Sequence, residues 1–78
     1  MRRIKSLSEV DAELKAAGFE YLGSCIICDC YHHYWAKHIG GGKYQLAISD
    51  GWLEDYTPKF REVTAEVVQR IKERCEWG

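Results

Sequence analysis

Between Cys25 and Trp35 the chain reads Cys25-Ile26-Ile27-Cys28-Asp29-Cys30-Tyr31-His32-His33-Tyr34-Trp35, so thiols, imidazoles and aromatic rings share one short stretch. Cys25, Cys28, Cys30 and His32 are the donor types of a tetrahedral zinc site, and Cys75 or a second histidine could complete it. The spacing opposes that chemistry. On an extended strand Cys28, Cys30 and His32 leave one face at steps of about 7 Å, too wide for a ligand shell a little over ~2 Å in radius. No glycine lies between Cys25 and His38 to fold them into a knuckle. No cofactor is therefore expected, and zinc at Cys25, Cys28, Cys30 and His32 is the alternative. A thiolate nucleophile meets the same obstacle. Asp29, His32 and His33 stand near the cysteines in sequence, but neighbours along a strand point to opposite faces. Gly40-Gly41-Gly42 lacks the lysine and helix that a phosphate loop needs. The chain reads as non-enzymatic.

Recognition chemistry fits the same stretch better. Tyr31, His33 and Trp35 occupy alternate positions and would share one strand face, able to stack on bases or to anchor in a protein pocket. The bland reading of those rings is core, with the strand register shifted by one. Further along, Asp50, Trp52, Glu54, Asp55 and Tyr56 alternate carboxylates with rings, a surface suited to a basic groove. The expected contacts are Tyr31, His33, Trp35, Asp50, Trp52, Glu54 and Asp55, with the aromatics as anchors and the carboxylates as partners for Arg or Lys.

The elements that must carry these residues follow from local signals. Met1 to Lys5 is a basic lead-in. Ser6-Leu7-Ser8-Glu9 fits a capping box, which starts a helix at Leu7. Leu7, Val10, Leu14 and Ala17 recur at helical spacing, and Gly18 followed by Phe19 fits a Schellman ending, so the helix runs over 7–17. From 19 to 49 the composition is aromatic and β-branched, predicting an antiparallel sheet with hairpin turns at Gly23-Ser24 and Gly40–Gly42. With both turns in place, Phe19, Tyr21, Ile26, Cys28, Cys30, Tyr34, Ala36, Tyr44, Leu46 and Ile48 form the core face. Glu20, Cys25, Ile27, Asp29, Tyr31, His33, Trp35, Lys37, Lys43, Gln45 and Ser49 fall on the open one. A strand from Cys25 to His38 is long, and a bulge or second turn near Asp29 would shorten it. Residues 50–56 make an acidic aromatic loop or a short fourth strand. Thr57-Pro58 then starts a second helix over 58–76, with Phe60, Val63, Val67, Ile71 and Cys75 as its buried stripe. The fold expected is α+β: a helix, a three- or four-stranded antiparallel sheet and a helix, with both helices on one sheet face.

At 78 residues this is a single domain, 1–78, in which every large apolar side chain matters. The formal charge of −1 supplies no field for nucleic acid or anionic lipid, which counts against both as partners. No stretch has the ~20 apolar residues of a membrane span, and no secretory-type apolar run opens the chain. A cytoplasmic location and free thiols are expected. Cys75 and the end of the second helix offer a route to a homodimer.

The order helix, strands, helix looks like the double-stranded-RNA-binding fold and like the small RNase toxins of the HicA family. Ala17-Gly18-Phe19 and Tyr31-His32-His33-Tyr34-Trp35 resemble the helix end and the second-strand histidine of those toxins. That resemblance implies His32 or His33 as an RNA-cleaving histidine. It departs where Gly23-Ser24 stands away from the histidine and where the basic surface is missing. In overall profile the chain is similar to phage-encoded host-defence inhibitors of the anti-CRISPR type: one small domain with mixed charge and aromatic and acidic surfaces. The expected function is a non-enzymatic protein-binding domain that blocks a site on a larger host complex. A HicA-like ribonuclease and a small zinc module are the alternatives.

Overall fold

The Ser6 N-cap half of the capping box forms as the sequence implies. Ser6 is the N-cap of α1 (Leu7–Ala16), and its hydroxyl accepts from the Glu9 amide at 3.2 Å. Gly18 takes φ +97°, a conformation glycine adopts without a Cβ penalty. The Schellman bonds follow, from Phe19 N to Leu14 O at 2.9 Å and from Gly18 N to Lys15 O at 3.0 Å. The chain thus leaves α1 directly into the sheet.

The structure, a computed structural model, describes residues 4–27, 30–51 and 54–74, without the side chains of Ile26, Ile27, Cys30, Tyr31 and Arg74. After α1 come β1 (Glu20–Ile27), β2 (Cys30–Gly40), β3 (Lys43–Ser49), β4 (Lys59–Thr64) and α2 (Ala65–Arg74). The four strands pair antiparallel in the order β1-β2-β3-β4. The α+β class and the order helix, sheet, helix are as expected.

The Gly40–Gly42 turn sets the β2–β3 register as the sequence implies, with Tyr34 opposite Ile48, Ala36 opposite Leu46 and Trp35 opposite Ala47. The first hairpin differs. Gly23 and Ser24 lie inside β1 and pair with Tyr34 and His33, so the reversal falls between Ile27 and Cys30, near Asp29. The register shifts between Tyr21 and Gly23, a bulge in which Gly23 takes φ +133°. Moving the turn and adding the bulge exchanges the faces of β1. Tyr21 joins Trp35, and Cys25 joins Tyr34.

The second correction concerns residues 58–76. Lys59–Thr64 is a strand, and only Ala65–Arg74 is helical. Phe60 and Val63, one helical stripe in the sequence reading, point to opposite faces of the sheet, opposite Ala47 and Tyr44. Pairing gives the free edge of β3 a hydrogen-bonded neighbour, which the β-branched run Val63-Thr64 suits better than a helix start. The fourth strand is therefore Lys59–Thr64. The alternative at 52–56 is not a strand in its described part, and Trp52 lies outside the described residues.

The third correction is the placement of the helices. They lie on opposite faces of the sheet. One core joins Val10 and Leu14 of α1 to Phe19, Trp35 and Ala47, with Leu7 and Tyr56 packed against it. The other joins Val68 and Ile71 of α2 to Cys25, Tyr34, Ala36, Leu46 and Val63. Each helix is too short to cover the sheet alone, and β2 presents large rings on both sides. One helix per face buries both.

Candidate functional site

One cross-strand row organises the α1 face. Tyr21, Trp35, Ala47 and Phe60 pair successively across all four strands. The helix sits over the middle of this row, where Trp35 and Ala47 are both 0% exposed. Ala47 leaves room for Val10 and Leu14, and Trp35 fills the space beside them. The ends of the row emerge on either side of α1, with Tyr21 40% and Phe60 53% exposed.

Each emerging ring walls a groove. The groove between α1 and β1 has a volume of about 330 Å³ and is lined by Leu7, Ser8, Asp11, Lys15, Tyr21 and Trp35. Its polar side is tightly arranged. The Trp35 indole Nε1 donates to Asp11 Oδ1 at 2.9 Å, and Lys15 Nζ lies 3.0 Å from Asp11 Oδ2. The indole hydrogen bond first, then the Lys15 ammonium, hold the Asp11 carboxyl below its ordinary pKa. The groove between α1 and β4, about 290 Å³, is more apolar, with Leu14, Ala17, Phe19, Pro58 and Phe60 along its walls. Lys5 and Glu13 stand at its rim, paired at 3.0 Å. Phe19 and Phe60 meet inside it with ring centroids 5.9 Å apart.

The imidazole that the sequence singled out lies next to this row. His33 is 9% exposed, shares a hydrogen bond of 3.1 Å between its Nδ1 and the Tyr21 hydroxyl, and meets Tyr56 edge-on at 5.8 Å. Burial, then the nearby His32, push its pKa below the ordinary imidazole value. Ser49, directly opposite His33, is fully buried, and its Oγ has no hydrogen-bond partner among the described residues. His32 lies on the α2 face opposite Cys25, half-buried, with its Nδ1 also unpartnered there.

The expected contact residues are thus divided. Trp35 and His33 are interior, so the open aromatic face of the sequence reading is the floor of α1. The Tyr31 side chain and Trp52 lie outside the described residues. Asp50 and Glu54 are exposed, Glu54 at φ +62°, an uncommon conformation for a residue with a Cβ. Asp55 is half-buried and structural. Its Oδ1 accepts from the Thr57 hydroxyl at 2.6 Å and the Thr57 amide at 3.1 Å. Tyr56 N donates to Lys5 O at 2.9 Å, which ties this segment to the start of α1.

No family model matches the chain, and no curated protein or solved structure is significantly similar to it. The chemistry has to be read from the geometry.

Cys25 is buried and disulfide-bonded, which corrects the expectation of free thiols and removes it from the zinc set as a thiolate. Cys28, the Cys30 side chain and Cys75 lie outside the described residues, and with them the remaining thiols of the zinc alternative and the Cys75 dimer contact. Among the described residues no three His, Cys, Asp or Glu side chains converge as a metal shell, and no helix is long and apolar enough to cross a membrane. Phe60, Tyr21 and the Asp11–Lys15 pair are the site features that sequence reading missed. For Phe60 periodicity pointed the wrong way: Phe60 and Val63 are three residues apart, a helical spacing, and only the β-branched pair Val63-Thr64 favoured a strand.

Proposed function

We propose that this chain is a non-catalytic protein-binding domain whose contact surface is the groove between α1 and β4, together with Asp50 and residues 54–58. The observation that carries the reading is Phe60. A half-exposed phenylalanine walls an apolar groove, on a surface where the other charges are paired or scattered. Rings of this kind anchor protein interfaces, and the exposed Asp50 and Glu54 would meet Arg or Lys of the partner. Net charge near zero favours a protein over nucleic acid as the occupant. A phage-type inhibitor acting on a host complex is the specific form of this reading, and it rests on the profile described from the sequence.

The test is affinity capture from a host lysate with the wild-type chain and with Phe60→Lys. Phe60→Lys should stay folded at a cost of about 1–2 kcal/mol, from the buried half of the ring and its contact with Phe19, yet lose the captured partner. Equal capture by both would place the interface elsewhere. Degradation of a bulk RNA substrate by wild-type protein, abolished by His33→Gln, would replace the binding reading with the ribonuclease one.

A further inference from the structure

α2 begins where β4 ends, with Ala65 N donating to Gly42 O at 3.2 Å, and it lies against β3, β4 and, on the far side of the sheet, β1. Its ten residues span about 15 Å, and the three spacings from β4 to β1 come to about 14 Å. The helix therefore crosses the sheet, and its carboxyl end stands over β1. Val68 and Ile71 pack on this face in one cluster with Cys25, and Val67 lies against it. The side-chain hydrogen bonds of α2 run within the helix, from Gln69 to Glu73 and from Arg70 to Glu66. Among the described residues, the Ala65 amide and these apolar side chains hold α2 to the sheet.

Cys25 is disulfide-bonded, and the strand register narrows its partner. The residue directly opposite Cys25 is His32. Cys30 stands opposite Ile27 and so lies diagonal to Cys25, about 7–8 Å away between backbones, beyond the reach of a disulfide. β1 stays extended through Ile27, already about 7 Å along the strand from Cys25, and the chain runs on from there to Cys28. Cys75 directly follows Arg74 and continues the Val68–Ile71 stripe at helical spacing. From the crossing helix and this register, we infer that Cys25 is bonded to Cys75 and that the bond is a reducible clasp for α2. Closed, it holds α2 over Tyr34, Ala36 and Leu46; open, it lets the helix lift and uncover that apolar face. A small dithiol supplies the two electrons. Because Cys25 is buried, a thiolate of the dithiol attacks the Cys75 sulfur, Cys25 leaves as the thiolate, and the second thiol of the reductant resolves the mixed disulfide. The dithiol ends as a cyclic disulfide, and its two protons pass to Cys25 and Cys75. His32, across the pair on the same face and with its Nδ1 unpartnered among the described residues, places a hydrogen-bond donor beside the leaving thiolate. The clasp is independent of the Phe60 groove, which lies on the other face of the sheet.

Non-reducing peptide mapping, with fragmentation that localises the linked sulfurs, tests the pairing. Amide exchange read by mass spectrometry, with and without dithiothreitol, tests the clasp. The expected results are a Cys25–Cys75 linkage and, on reduction, exchange in 65–74 that is faster by at least about tenfold while α1 keeps its protection. Cys75→Ser should reproduce the reduced pattern without reductant, and Cys30→Ser should keep the oxidised one. His32→Leu should slow reduction by dithiothreitol at least about threefold, and an unchanged rate would remove the imidazole from the step. A linkage from Cys25 to Cys28 or Cys30 overturns the inference. So does equal protection of α2 in the two states, or a reduced chain in which α1 loses protection together with α2, which would make the bond a general brace of the fold.

Discussion

Trp35 shows how far a side chain's role depends on what covers it. As an exposed anchor it would be removable at little cost, but it lies beneath α1 with its indole N–H committed to Asp11. Trp35→Ala should therefore cost about 3–5 kcal/mol in urea denaturation, through lost burial and the cavity left behind. Trp35→Phe keeps most of the apolar volume and loses a hydrogen bond to a charged acceptor, so a smaller loss of about 1.5–3 kcal/mol is expected. Equal midpoints for wild type and Trp35→Ala would show that the residue is not core. His33 gives a pH signature. Its folded-state pKa lies below the ordinary value, so the unfolded chain binds the proton more readily. Its contribution is fully present above the ordinary imidazole pKa and declines as pH falls from there toward the folded-state value. Stability measured from pH 8 downward should show this slope, and His33→Gln should flatten it. Asp11 acts lower on the scale. Because its folded pKa is depressed, its contribution is present above the ordinary carboxylate value and is lost as pH falls through the folded one.

Among the elements, α1 is specified almost entirely from within. Ser6, Gly18 and the Leu7–Val10–Leu14 stripe set its start, its end and its buried side. Ser6→Ala should cost about 1 kcal/mol by removing the N-cap acceptor. Gly18→Ala, at φ +97°, should cost a similar amount, about 1 kcal/mol, from left-handed strain. Both are read as thermal or urea shifts, and unchanged stability in Ser6→Ala would mean that water replaces the cap. β4 is the opposite case. Nothing within Lys59–Thr64 rules out a helix, and Thr57-Pro58 even invites one. Its pairing with β3 decides the matter through hydrogen bonds to residues 43–48 that no local pattern encodes.

For the whole molecule, the sheet divides the interior into two cores, one beneath each helix. They share the strands but no side chains, since the α1 cluster and the α2 cluster contain different residues. Val10→Ala and Ile71→Ala should therefore be additive to within about 0.5 kcal/mol in the double variant, because no packing contact is shared. A coupling well above that would mean that the sheet transmits strain between its faces.

The division between what was legible along the chain and what was not follows the range of the forces involved. The bounds of α1, the Gly40–Gly42 turn and the faces of β2 and β3 rest on caps, glycine dihedrals and the two-residue alternation of strands, all of them interactions between near neighbours. Those readings stand, and with them the α+β class. The position of the first hairpin turn was open, because a one-residue bulge at Gly23 costs little and reverses every side chain before it. The side of the sheet that each helix takes, the strand at Lys59–Thr64 and the burial of Trp35 and His33 depend on contacts between distant segments. Tyr34, Trp35 and Ala36 read as one buried face and one open face until a helix covers each side of the strand. The candidate surface follows from that competition: α1 covers the centre of a cross-strand row, and the rings at its ends, Tyr21 and Phe60, are left exposed.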